Sequence, residues 1–574
     1  MSNEEYLKEL RHSAAHLLAA AVLKLYPNTK LTIGPAIDTG FYYDLDFTHP
    51  LTEDDLPKIE KEMAATLKTW ETFSHREVTE KEAKEFYKNN EYKRELIDEI
   101  VAKGEKLTFY KAGDFEDLCR GGHSAKPQKD IGAFKLLSIA GAYWRGSEKN
   151  KMLTRIYGTA YPKQKELENH LTMLEEAKKR DHRKLGRELD LFHFQPEAPG
   201  MPFWHPKGMI LRNELLAFSR KLQLEYGYKE VLTPTMMDVS IFKQSGHWDH
   251  YQKDMFSTIY EDDKLFGLKP MNCPGMIQVY KSSLRSYRDL PLRLSEYGLI
   301  TRKEQSGELN GMFRVMQATQ DDAHLFVTED AIDEALEGLI ALVSDIYAGF
   351  GLKFKAYLST RPDNYMGKLE TWDRAEKTLK AAMEKAGLEI LLKEKDGAFY
   401  GPKIDYQLED SLGRTWQCGT LQLDFQMPET FNIEYIDSDG TAKRPVIIHR
   451  TIIGSVERFI GILTEHYAGA FPVWLAPVQV VLLPIADRHI EFGQKVIDQL
   501  QNAGIRAEMD TRSERLQAKI RDATLQKVPF MGIIGDKEIV ESAISVRKRD
   551  GEDLGQIKTA SFLNLIQENI AKKT

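Results

Sequence analysis

The sequence predicts an α+β protein of several domains in which antiparallel strands form one of the sheets. Its 574 residues correspond to about four domains of ordinary size. Residues 294–326 contain two stretches of alternating apolar and polar side chains around a Gly-containing loop at 306–311, a pattern typical of a long antiparallel hairpin. Strand and helix patterns then alternate over about 475–574, which indicates a compact α/β domain.

Composition and charge narrow the class of protein. Apolar residues make up 42% of the chain and the formal net charge is −8, which argues against a protein that coats nucleic acid indiscriminately. The cysteines at 119, 273 and 418 lack a CxxC spacing, so we expect a reducing compartment and no disulfides. The charged N-terminus and the absence of apolar runs of roughly 18 residues predict a cytoplasmic protein without membrane segments.

The predicted hairpin carries charged and polar side chains on both arms. Arg302 and Glu304 follow the first stretch, and Arg314, Gln320 and Asp322 lie in the second. Arginine and carboxylate side chains gathered on both arms favour a pocket for an anionic, polar ligand. A solvated sheet face with the same composition is the alternative interpretation.

The N-terminal segment contains two pairs of possible metal ligands or proton carriers. His12 and His16 lie four residues apart in an Ala/Leu-rich helical stretch, and therefore on one helix face. Cys119 and His123 have the same spacing in a Gly-containing loop that follows Asp117. If helix and loop meet, they form a His/His/Cys/His set. The alternative is that these are unrelated histidines, because the glutamate of an HExxH motif is missing.

Several basic stretches are candidates for contact with nucleic acid. Residues 141–158 interleave aromatic and cationic side chains, and the predicted helix around 167–177 ends in a basic run at 178–187. A further basic helix spans about 512–521, and a basic hairpin turns near 547–551. Such stretches are also common as ordinary solvated faces or as cations at helix C-termini, so composition alone leaves both interpretations open.

Polar residues of the middle segment lie where a ligand can approach the backbone. Cys273 lies in KPMNCPGM, which predicts a turn, and His449 ends an apolar strand. Gly454 stands at a strand-to-helix junction, where a glycine permits close approach, and Arg458 follows one turn later. Further polar side chains occur on or beside alternating stretches, at Tyr400, Lys403, Gln417, Thr420 and Gln422.

These segments together resemble a known enzyme family over nearly the whole chain. Segments around Pro234, at 302–314 and at 454–458 are similar to motifs 1, 2 and 3 of class II aminoacyl-tRNA synthetases, in that order. MNCPG, TQDDAH, FYGPK, QCGTLQLDF and IHR resemble the threonyl-tRNA synthetases in particular. HSAAH, CRGGH and GAYWRG resemble the N-terminal editing domain of that family.

The resemblance implies four parts of the chain. An α+β editing domain at 1–160 is followed by a linker helix at 161–195. A class II catalytic domain with an antiparallel sheet at 196–472 precedes an α/β anticodon-binding domain at 473–574. Proline and glycine residues near 196–202 mark one of these boundaries.

The resemblance also implies the activity and its partners. We expect ATP-dependent attachment of L-threonine to tRNA(Thr) through threonyl-adenylate, with hydrolytic editing of seryl-tRNA(Thr) in the N-terminal domain. We also expect one zinc ion per subunit, held by Cys273, His324 and His449, magnesium with ATP, and a homodimer that pairs through motif 1. A zinc site that reads the threonine hydroxyl rejects valine by roughly 10⁴ to 10⁵, whereas serine, short of one methyl group, is rejected only about 10- to 200-fold.

The family motifs map onto individual residues of this sequence. The catalytic set is Arg302, Arg314, Arg458 and Lys403. The ATP-binding set is Arg302, Glu304, Arg314, Gln417, Thr420 and Arg458. The substrate-binding set is Gln320, Asp322, Tyr400 and Gln422. The editing set is His12, His16, Asp117, Cys119 and His123, for which we leave the question of a metal open. The anticodon-binding set is Arg521, Glu538 and Arg547.

Two departures from the family pattern stand out. Where the family continues after Arg314 with a second arginine and an aromatic residue that stacks on adenine, this chain has Met316 and Ala318. Loss of a stacking face costs about 1 to 3 kcal/mol, so we expect weakened or reshaped ATP binding. The small ubiquitin-like domain that precedes the editing domain in many members is also missing, and we expect the chain to start at the editing domain.

Two other functions belong to different classes. An RNA-binding regulator that has lost activation is supported only by Met316 and Ala318, and threonine-dependent pyrophosphate exchange separates it from the synthetase. A zinc hydrolase that acts through the N-terminal His/Cys set would require an activity of residues 1–160 that tRNA esters do not explain.

Overall fold

The computed structural model describes residues 3–260 and 264–573. Their contacts divide the chain into two compact units, Met1–Glu175 and Glu176–Thr574. Within the described ranges, no helix is both long enough and apolar enough to span a membrane.

The first unit is built on a helix packed against a five-stranded sheet. The Ala/Leu-rich helix α1 buries Leu10, Leu17 and Leu18 completely against Phe41 and Ile156 of the sheet. The sheet has the strand order β1-β3-β8-β7, with β2 paired to β3, and a separate sheet has the order β4-β5-β6. The helices are α1 (Asn3–Leu25), α2 (Leu56–Leu67), α3 (Glu80–Phe86), α4 (Glu91–Ala102), α5 (Pro127–Asp130) and α6 (Gln164–Arg180). The strands are β1 (Lys30–Leu31), β2 (Ala36–Ile37), β3 (Gly40–Asp46), β4 (Ser74–Glu77), β5 (Thr108–Ala112), β6 (Phe115–Leu118), β7 (Ala133–Tyr143) and β8 (Met152–Tyr161).

The second unit begins at Glu176 within helix α6, and the predicted linker helix breaks shortly afterwards. Helix α6 ends at Arg180, and α7 starts at His182 after Asp181, whose side chain accepts a hydrogen bond from the backbone N–H of Arg183. The further helices up to residue 470 are α7 (His182–Glu188), α8 (Pro206–Glu225), α9 (Val239–Gln244), α10 (His247–Tyr251), α11 (Cys273–Lys281), α12 (Ile332–Ala348), α13 (Leu369–Lys385), α14 (Met427–Thr430) and α15 (Val456–His466).

An eight-stranded, mainly antiparallel sheet organises this part of the second unit. Its strand order is β11-β15-β16-β23-β20-β19-β17-β18, and only the two outermost pairs are parallel. The strands of this region are β9 (Phe192–His193), β10 (Phe203–Trp204), β11 (Lys229–Glu230), β12 (Met236–Asp238), β13 (Ser257–Ile259), β14 (Leu265–Leu268), β15 (Leu292–Thr301), β16 (Gln317–Val327), β17 (Lys353–Ser359), β18 (Leu391–Lys393), β19 (Lys403–Glu409), β20 (Thr415–Asp424), β21 (Tyr435–Ile436), β22 (Ala442–Lys443) and β23 (Val446–Ser455).

The predicted hairpin is present as β15 and β16. Its ladder runs from Leu292 opposite Phe326 to Thr301 opposite Gln317. The second strand therefore begins at Gln317 and not at Met312, where the alternation of the sequence begins. Met312 is fully buried, and its N–H donates to a histidine ring instead of to the ladder.

The C-terminal part has the predicted α/β organisation. A five-stranded sheet has the order β25-β24-β26-β27-β28, in which β24 is parallel to both of its neighbours. The predicted hairpin with its turn at Asp550 and Gly551 joins β27 and β28. The strands are β24 (Val480–Pro484), β25 (Ala507–Met509), β26 (Phe530–Ile534), β27 (Ala543–Lys548) and β28 (Asp553–Lys558). The helices are α16 (Ile490–Asn502), α17 (Leu516–Leu525), α18 (Asp536–Val540) and α19 (Thr559–Lys572).

Candidate functional site

Three side chains with the character of zinc ligands meet on the large sheet. His324 of β16 and His449 of β23 are direct cross-strand partners, and their ring centroids lie 4.6 Å apart. Cys273 is the first residue of α11, which places its thiol beside both rings instead of in the predicted turn. The three possible ligand atoms all lie within 4.8 Å of one another. Strand register and the start of one helix thus produce the set.

The hydrogen bonding of these side chains is incomplete in a way that fits a metal. Both ring nitrogens of His324 and the Nδ1 atom of His449 are buried without a hydrogen-bond partner. Buried polar atoms of folded proteins are almost always paired. The other nitrogen of His449, Nε2, lies 2.9 Å from Oδ2 of Asp424, which fixes the ring and leaves Nδ1 free. The arrangement matches a ligand set with an outer carboxylate.

Burial controls the protonation of the same group. Desolvation lowers the pKa of His324 well below its ordinary value, and the neighbouring His449 lowers it further. The imidazole is therefore neutral, which is the form that binds metal. Desolvation raises the pKa of the Cys273 thiol well above its ordinary value, and Asp322 and Asp424 add to the rise. A cation at the centre would favour the thiolate instead.

Polar side chains surround the three candidate ligands. Asn272 Nδ2 donates to Asp322 Oδ2 at 3.2 Å, and the Tyr400 hydroxyl donates to Gln422 Oε1 at 2.8 Å. Burial raises the pKa of Asp322 to about 6. Gln422 lies directly opposite His449 in the ladder between β20 and β23. The structure thus brings three of the four predicted substrate residues next to the metal-ligand candidates.

A cavity of about 360 Å³ lies at the end of the hairpin. Arg302, Glu304 and Arg314 line it together, as the sequence pattern predicts. Arg314 donates from Nε to Glu304 at 2.9 Å and forms an ion pair of 2.8 Å with Glu308. Arg302 Nε donates to the carbonyl oxygen of Pro270 at 3.1 Å. Two arginines held by main-chain and carboxylate oxygens line a pocket suited to a phosphate-bearing ligand.

The two departures from the family pattern, Met316 and Ala318, lie at the start of strand β16. The Met316 side chain packs against Gly200, where an added Cβ would lie 3.1 Å from Met316 Cγ. Ala318 is 8% exposed and lies opposite Ile300 in the ladder. Neither residue offers an aromatic ring that could stack on adenine.

Lys403, Gln417 and Thr420 converge on one buried carboxylate. Asp405 Oδ1 accepts hydrogen bonds from Gln417 and Thr420, each at 2.8 Å, and Lys403 Nζ lies 2.8 Å from Oδ2. Asp405 is fully buried. None of these three side chains is among the described residues that line the cavity around Arg302. Their predicted contacts with ATP stay predictions.

Arg458 and Gln320 lie where β23 leads into α15. Ser455, opposite Gln320 in the ladder, begins the helix, and its hydroxyl accepts the N–H of Arg458 at 3.2 Å. Gly454 has a φ of +67°, and a Cβ there would lie 2.8 Å from the carbonyl oxygen of Cys418. The Nε atom of Arg458 is buried without a hydrogen-bond partner. The positive φ and this contact both require glycine at the junction, whereas the approach of a ligand to its backbone stays a prediction.

In the first unit, the two predicted His/Cys pairs meet. The possible ligand atoms of His12, His16, Cys119 and His123 lie within 4.8 Å of one another. Cys119 Sγ is 3.6 Å from Nε2 of His12 and 3.2 Å from Nε2 of His123. His12 Nδ1 lies 3.1 Å from the carbonyl oxygen of Gly122. The set lies between helix α1 and the loop after β6.

Burial keeps this cluster uncharged. It lowers the pKa of His12, and it lowers the pKa of His16 and of His123 much further, with the neighbouring imidazoles adding to the fall for these two. It raises the pKa of the Cys119 thiol to about 11. Imidazoles with so low a pKa are weak bases, but they can orient a water molecule by hydrogen bonds, so the group is suited to positioning water.

The structure adds Lys93, Tyr43 and Tyr87 to the predicted Asp117, and the sequence pattern did not assign these three residues to the site. Asp117, which is 1% exposed, pairs with Lys93 Nζ at 2.7 Å. The hydroxyls of Tyr43 and Tyr87 donate to the same carboxylate at 2.8 and 2.7 Å. A cavity of about 510 Å³ lies beside this group. Its lining includes His12, His16, Tyr43, Lys93, Asp117 and Cys119, together with the cationic side chains Lys103, Lys106, Arg120 and Arg145.

The three predicted anticodon-binding residues lie on different elements of the C-terminal part. Arg521 is exposed on α17, and Arg547 is half-buried on β27. Glu538 of α18 accepts hydrogen bonds from the Gly535 N–H at 2.9 Å and the Ser545 hydroxyl at 2.8 Å. This carboxylate therefore has a structural role before any ligand is considered.

Comparison with known families matches three regions of the chain. Residues 256–467 match the class II core domain of tRNA synthetases (G, H, P, S and T). Residues 479–569 match an anticodon binding domain, and residues 107–157 match the second additional domain of threonyl and alanyl tRNA synthetases.

Similar proteins cover almost the whole chain. A threonine–tRNA ligase of Caldanaerobacter subterraneus subsp. tengcongensis is 52% identical over 573 residues, which are 100% of this chain and 88% of that protein. One from Acetivibrio thermocellus is 53% identical over 565 residues, 98% of this chain and 88% of that protein. The crystal structure of the RNA binding domain of threonyl-tRNA synthetase from Cryptosporidium parvum is 39% identical, covers 68% of this chain and 98% of that one, and gives a TM-score of 0.66.

The eight-stranded sheet and the matched core domain define a class II aminoacyl-tRNA synthetase. The motifs of the sequence agree with that class. Because a relative is 52% identical over 100% of this chain, the chain belongs to the threonine–tRNA ligase family. The predicted family, fold class and enzyme class are confirmed, and the second additional domain together with the relatives supports threonine charging with editing.

Proposed function

We propose that Cys273, His324 and His449 hold a zinc ion with which this ligase selects L-threonine for attachment to tRNA(Thr). The single observation that carries the proposal is the set of buried ring nitrogens without hydrogen-bond partners, next to a buried thiol. When bound, zinc supplies a Lewis acid that takes up an amino group and a hydroxyl group. A set of three protein ligands leaves room for a substrate, as catalytic zinc sites do.

The polar residues around the ligand set orient the amino acid. Asp322 offers a carboxylate to the threonine amino group, and Tyr400 and Gln422 form a hydrogen-bonded wall beside His449. Gln320 lies two residues before Asp322 on the same strand. A site built to pair a hydroxyl leaves valine with an unpaired polar group, whereas it accepts serine much more readily.

For activation, Arg302 and Arg314 bind the α-phosphate of ATP and stabilise the charge that builds up when the threonine carboxylate attacks it. Their place in one cavity with Glu304, which faces the adenine amino group, supports these roles. Arg458 holds the nucleotide from helix α15. Gln417, Thr420 and Lys403 contact the nucleotide and phosphate side, and magnesium accompanies the triphosphate.

Editing takes place in the first unit, with 1–160 as the editing domain. A water molecule at the ester of seryl-tRNA(Thr) is positioned by His12, His16, Cys119 and His123. Asp117 supports the site through its contacts with Lys93, Tyr43 and Tyr87. The convergence of the three histidines and the cysteine supports this assignment, as does a cavity of about 510 Å³ that is lined by His12, His16 and Cys119. The N-terminal domain thereby removes the serine that the zinc site lets through.

The remaining assignments concern domains and partners. The linker covers 161–195, the catalytic domain 196–472 and the anticodon-binding domain 473–574, where Arg521, Glu538 and Arg547 read anticodon bases. The chain forms a homodimer through motif 1 around Pro234, and the neighbouring Leu232, which is 80% exposed, is the side chain with which to test it. Analytical ultracentrifugation of Leu232→Glu tests the dimer, because a charge in a buried interface should yield monomers.

The zinc proposal is tested with Cys273→Ser and a matched control. Zinc in the purified protein, measured by atomic absorption, should fall from about one per chain to near zero in Cys273→Ser, because a serine hydroxyl is a poor zinc ligand. Cys418→Ser removes another buried thiol, on β20, and should keep its zinc. Threonine-dependent pyrophosphate exchange should fall with the metal. Full zinc content in Cys273→Ser, or equal activation of valine and threonine by the unaltered enzyme, contradicts the proposal.

A further inference from the structure

A buried histidine outside the matched core domain contacts both helix α15 and the loop between β15 and β16. His182 is the first residue of α7, within the segment expected to act only as a linker, and it is 1% exposed. Its Nε2 atom accepts the backbone N–H of Met312 at 2.9 Å. Its Nδ1 atom lies 2.7 Å from Oε1 of Glu465 on α15, and its own backbone N–H donates to the same oxygen at 3.0 Å.

The two contacts define the state of the ring. Because the Met312 N–H occupies Nε2, the proton of the imidazole lies on Nδ1 and is donated to Glu465. Glu465 is held in turn by Arg414, whose Nη2 donates to Oε2 at 2.6 Å. Burial opposes ionisation of Glu465, but hydrogen bonds from His182 and Arg414 lower its pKa. The ring is therefore a fixed bridge between the hairpin loop and helix α15.

The His182 ring and the backbone at 311–313 are closely packed against each other. A Cβ at Gly311 would lie 2.3 Å from His182 Nε2, and the φ of Gly311 is +50°. The Phe313 ring packs on the imidazole with a centroid distance of 4.1 Å. On the other side, a Cβ at Gly461 of α15 would lie 3.0 Å from Met312 Cβ. The backbone at 311–313 is thus enclosed between the histidine and the helix that carries Arg458.

We propose that His182 is a positioning residue for threonine activation, because it fixes the backbone at Met312 and so sets Arg314 in place relative to Arg458. Arg314 follows Met312 by two residues, whereas Arg458 lies two turns before Glu465 on α15. The inference rests on the proposed contact of both arginines with ATP. It also gives the segment before the matched core domain an indirect part in the reaction, through the position of Arg314.

The test uses two substitutions that each keep half of the bridge. His182→Asn places an amide where Nδ1 lies, so it keeps a donor for Glu465 and removes the acceptor for the Met312 N–H. His182→Gln places an oxygen near the position of Nε2 and keeps that acceptor. In ATP–pyrophosphate exchange, which needs no tRNA, we expect kcat/KM for ATP to fall about 10- to 100-fold in His182→Asn and much less in His182→Gln.

His489 provides a matched control for the loss of a buried histidine. It is 1% exposed, its Nδ1 accepts the Ala486 N–H at 3.1 Å, and its Nε2 lies 3.0 Å from Asp536. It belongs to the C-terminal part of the chain. His489→Ala and His182→Ala should both lower thermal stability, but only His182→Ala should reduce kcat/KM for ATP. If both reduce it equally, the role of His182 is structural only.

A double-mutant cycle connects the effect to Arg314. If His182 acts through Arg314, His182→Asn should add little to the loss caused by Arg314→Ala. Full additivity, or exchange kinetics of His182→Asn equal to those of the unaltered enzyme, overturns the inference alone. A silent Arg314→Ala overturns the proposed contact of Arg314 with ATP as well, so the two failures are distinguishable.

Discussion

The Lys93–Asp117 pair predicts a strong asymmetry between its two members. Lys93 is 3% exposed and Asp117 1%, and their charged atoms lie 2.7 Å apart. Asp117 also accepts hydrogen bonds from the hydroxyls of Tyr43 and Tyr87 and from the N–H of Leu118, at 2.8, 2.7 and 2.9 Å. Within the described ranges, Asp117 is the only carboxylate paired with Lys93. The carboxylate therefore has three further hydrogen-bond donors, whereas the ammonium has, besides this one carboxylate, the Tyr87 ring at 5.9 Å.

The magnitudes follow from this difference. In Asp117→Asn, the buried ammonium of Lys93 loses its counter-charge, and breaking such a pair costs about 3 to 5 kcal/mol. In Lys93→Met, the carboxylate keeps three donors and loses one charge-assisted hydrogen bond, which costs about 1.5 to 3 kcal/mol. Removing both members should recover part of the larger loss, because no unpaired charge remains buried.

Native-state hydrogen exchange measures these free energies within the first unit. Amides of β3 (Gly40–Asp46) and α1 (Asn3–Leu25) report its opening, and threonine-dependent pyrophosphate exchange serves as the control for the second unit. We expect Asp117→Asn to lose more protection than Lys93→Met. Pyrophosphate exchange should be unchanged in both variants. Equal losses, or a larger loss in Lys93→Met, would refute the reasoning about the additional donors.

Two further predictions concern ATP binding and thiol reactivity. Ala318→Phe, which restores a ring opposite Ile300, should lower KM for ATP by an amount equivalent to about 1 to 3 kcal/mol in exchange kinetics, and an unchanged KM would contradict weakened stacking. Because burial raises the pKa of Cys119 to about 11, its alkylation, followed by peptide mass spectrometry, should rise about tenfold per pH unit up to about pH 10. A plateau near pH 9 would show an ordinary thiol.

The sequence predicted the elements whose pattern is local. Alternation of side chains located β15 and β16, and the spacing of His12 and His16 placed both rings on one face of α1, as the structure has them. The start of β16 was misplaced by five residues, because Met312 continues the alternation but is held by a ring from a distant helix. The side-chain pattern of residues 312–317 could not predict that contact, because its partner lies 130 residues away in the chain.

The residues that the sequence missed are those whose role depends on burial. Lys93 lies in a helix, 91–102, whose many charged residues predict a solvated face, yet it is enclosed by Asp117 and Tyr87. His182 lies in a basic run that resembles an ordinary helix C-terminus. In both cases the signal was a single polar residue among similar ones, and only the tertiary contact distinguishes it.

The two His/Cys clusters have similar composition but opposite hydrogen bonding, and this separates their chemistry. Around Cys273, three buried ring nitrogens lack a partner, so the group is incomplete without an electron-pair acceptor such as a metal. Around Cys119, His12 contacts Gly122 and the thiol, and His123 contacts Ser13 and the thiol.

In the second cluster the ring nitrogens of His12 and His123 thus already have partners, whereas the buried Nδ1 atom of His16 is unpaired. A metal there would have to replace contacts that already exist, whereas a water molecule needs only one free acceptor and the adjacent cavity. The hydrogen bonding therefore favours zinc at the proposed amino-acid site around Cys273 and a positioned water at the proposed editing site around Cys119.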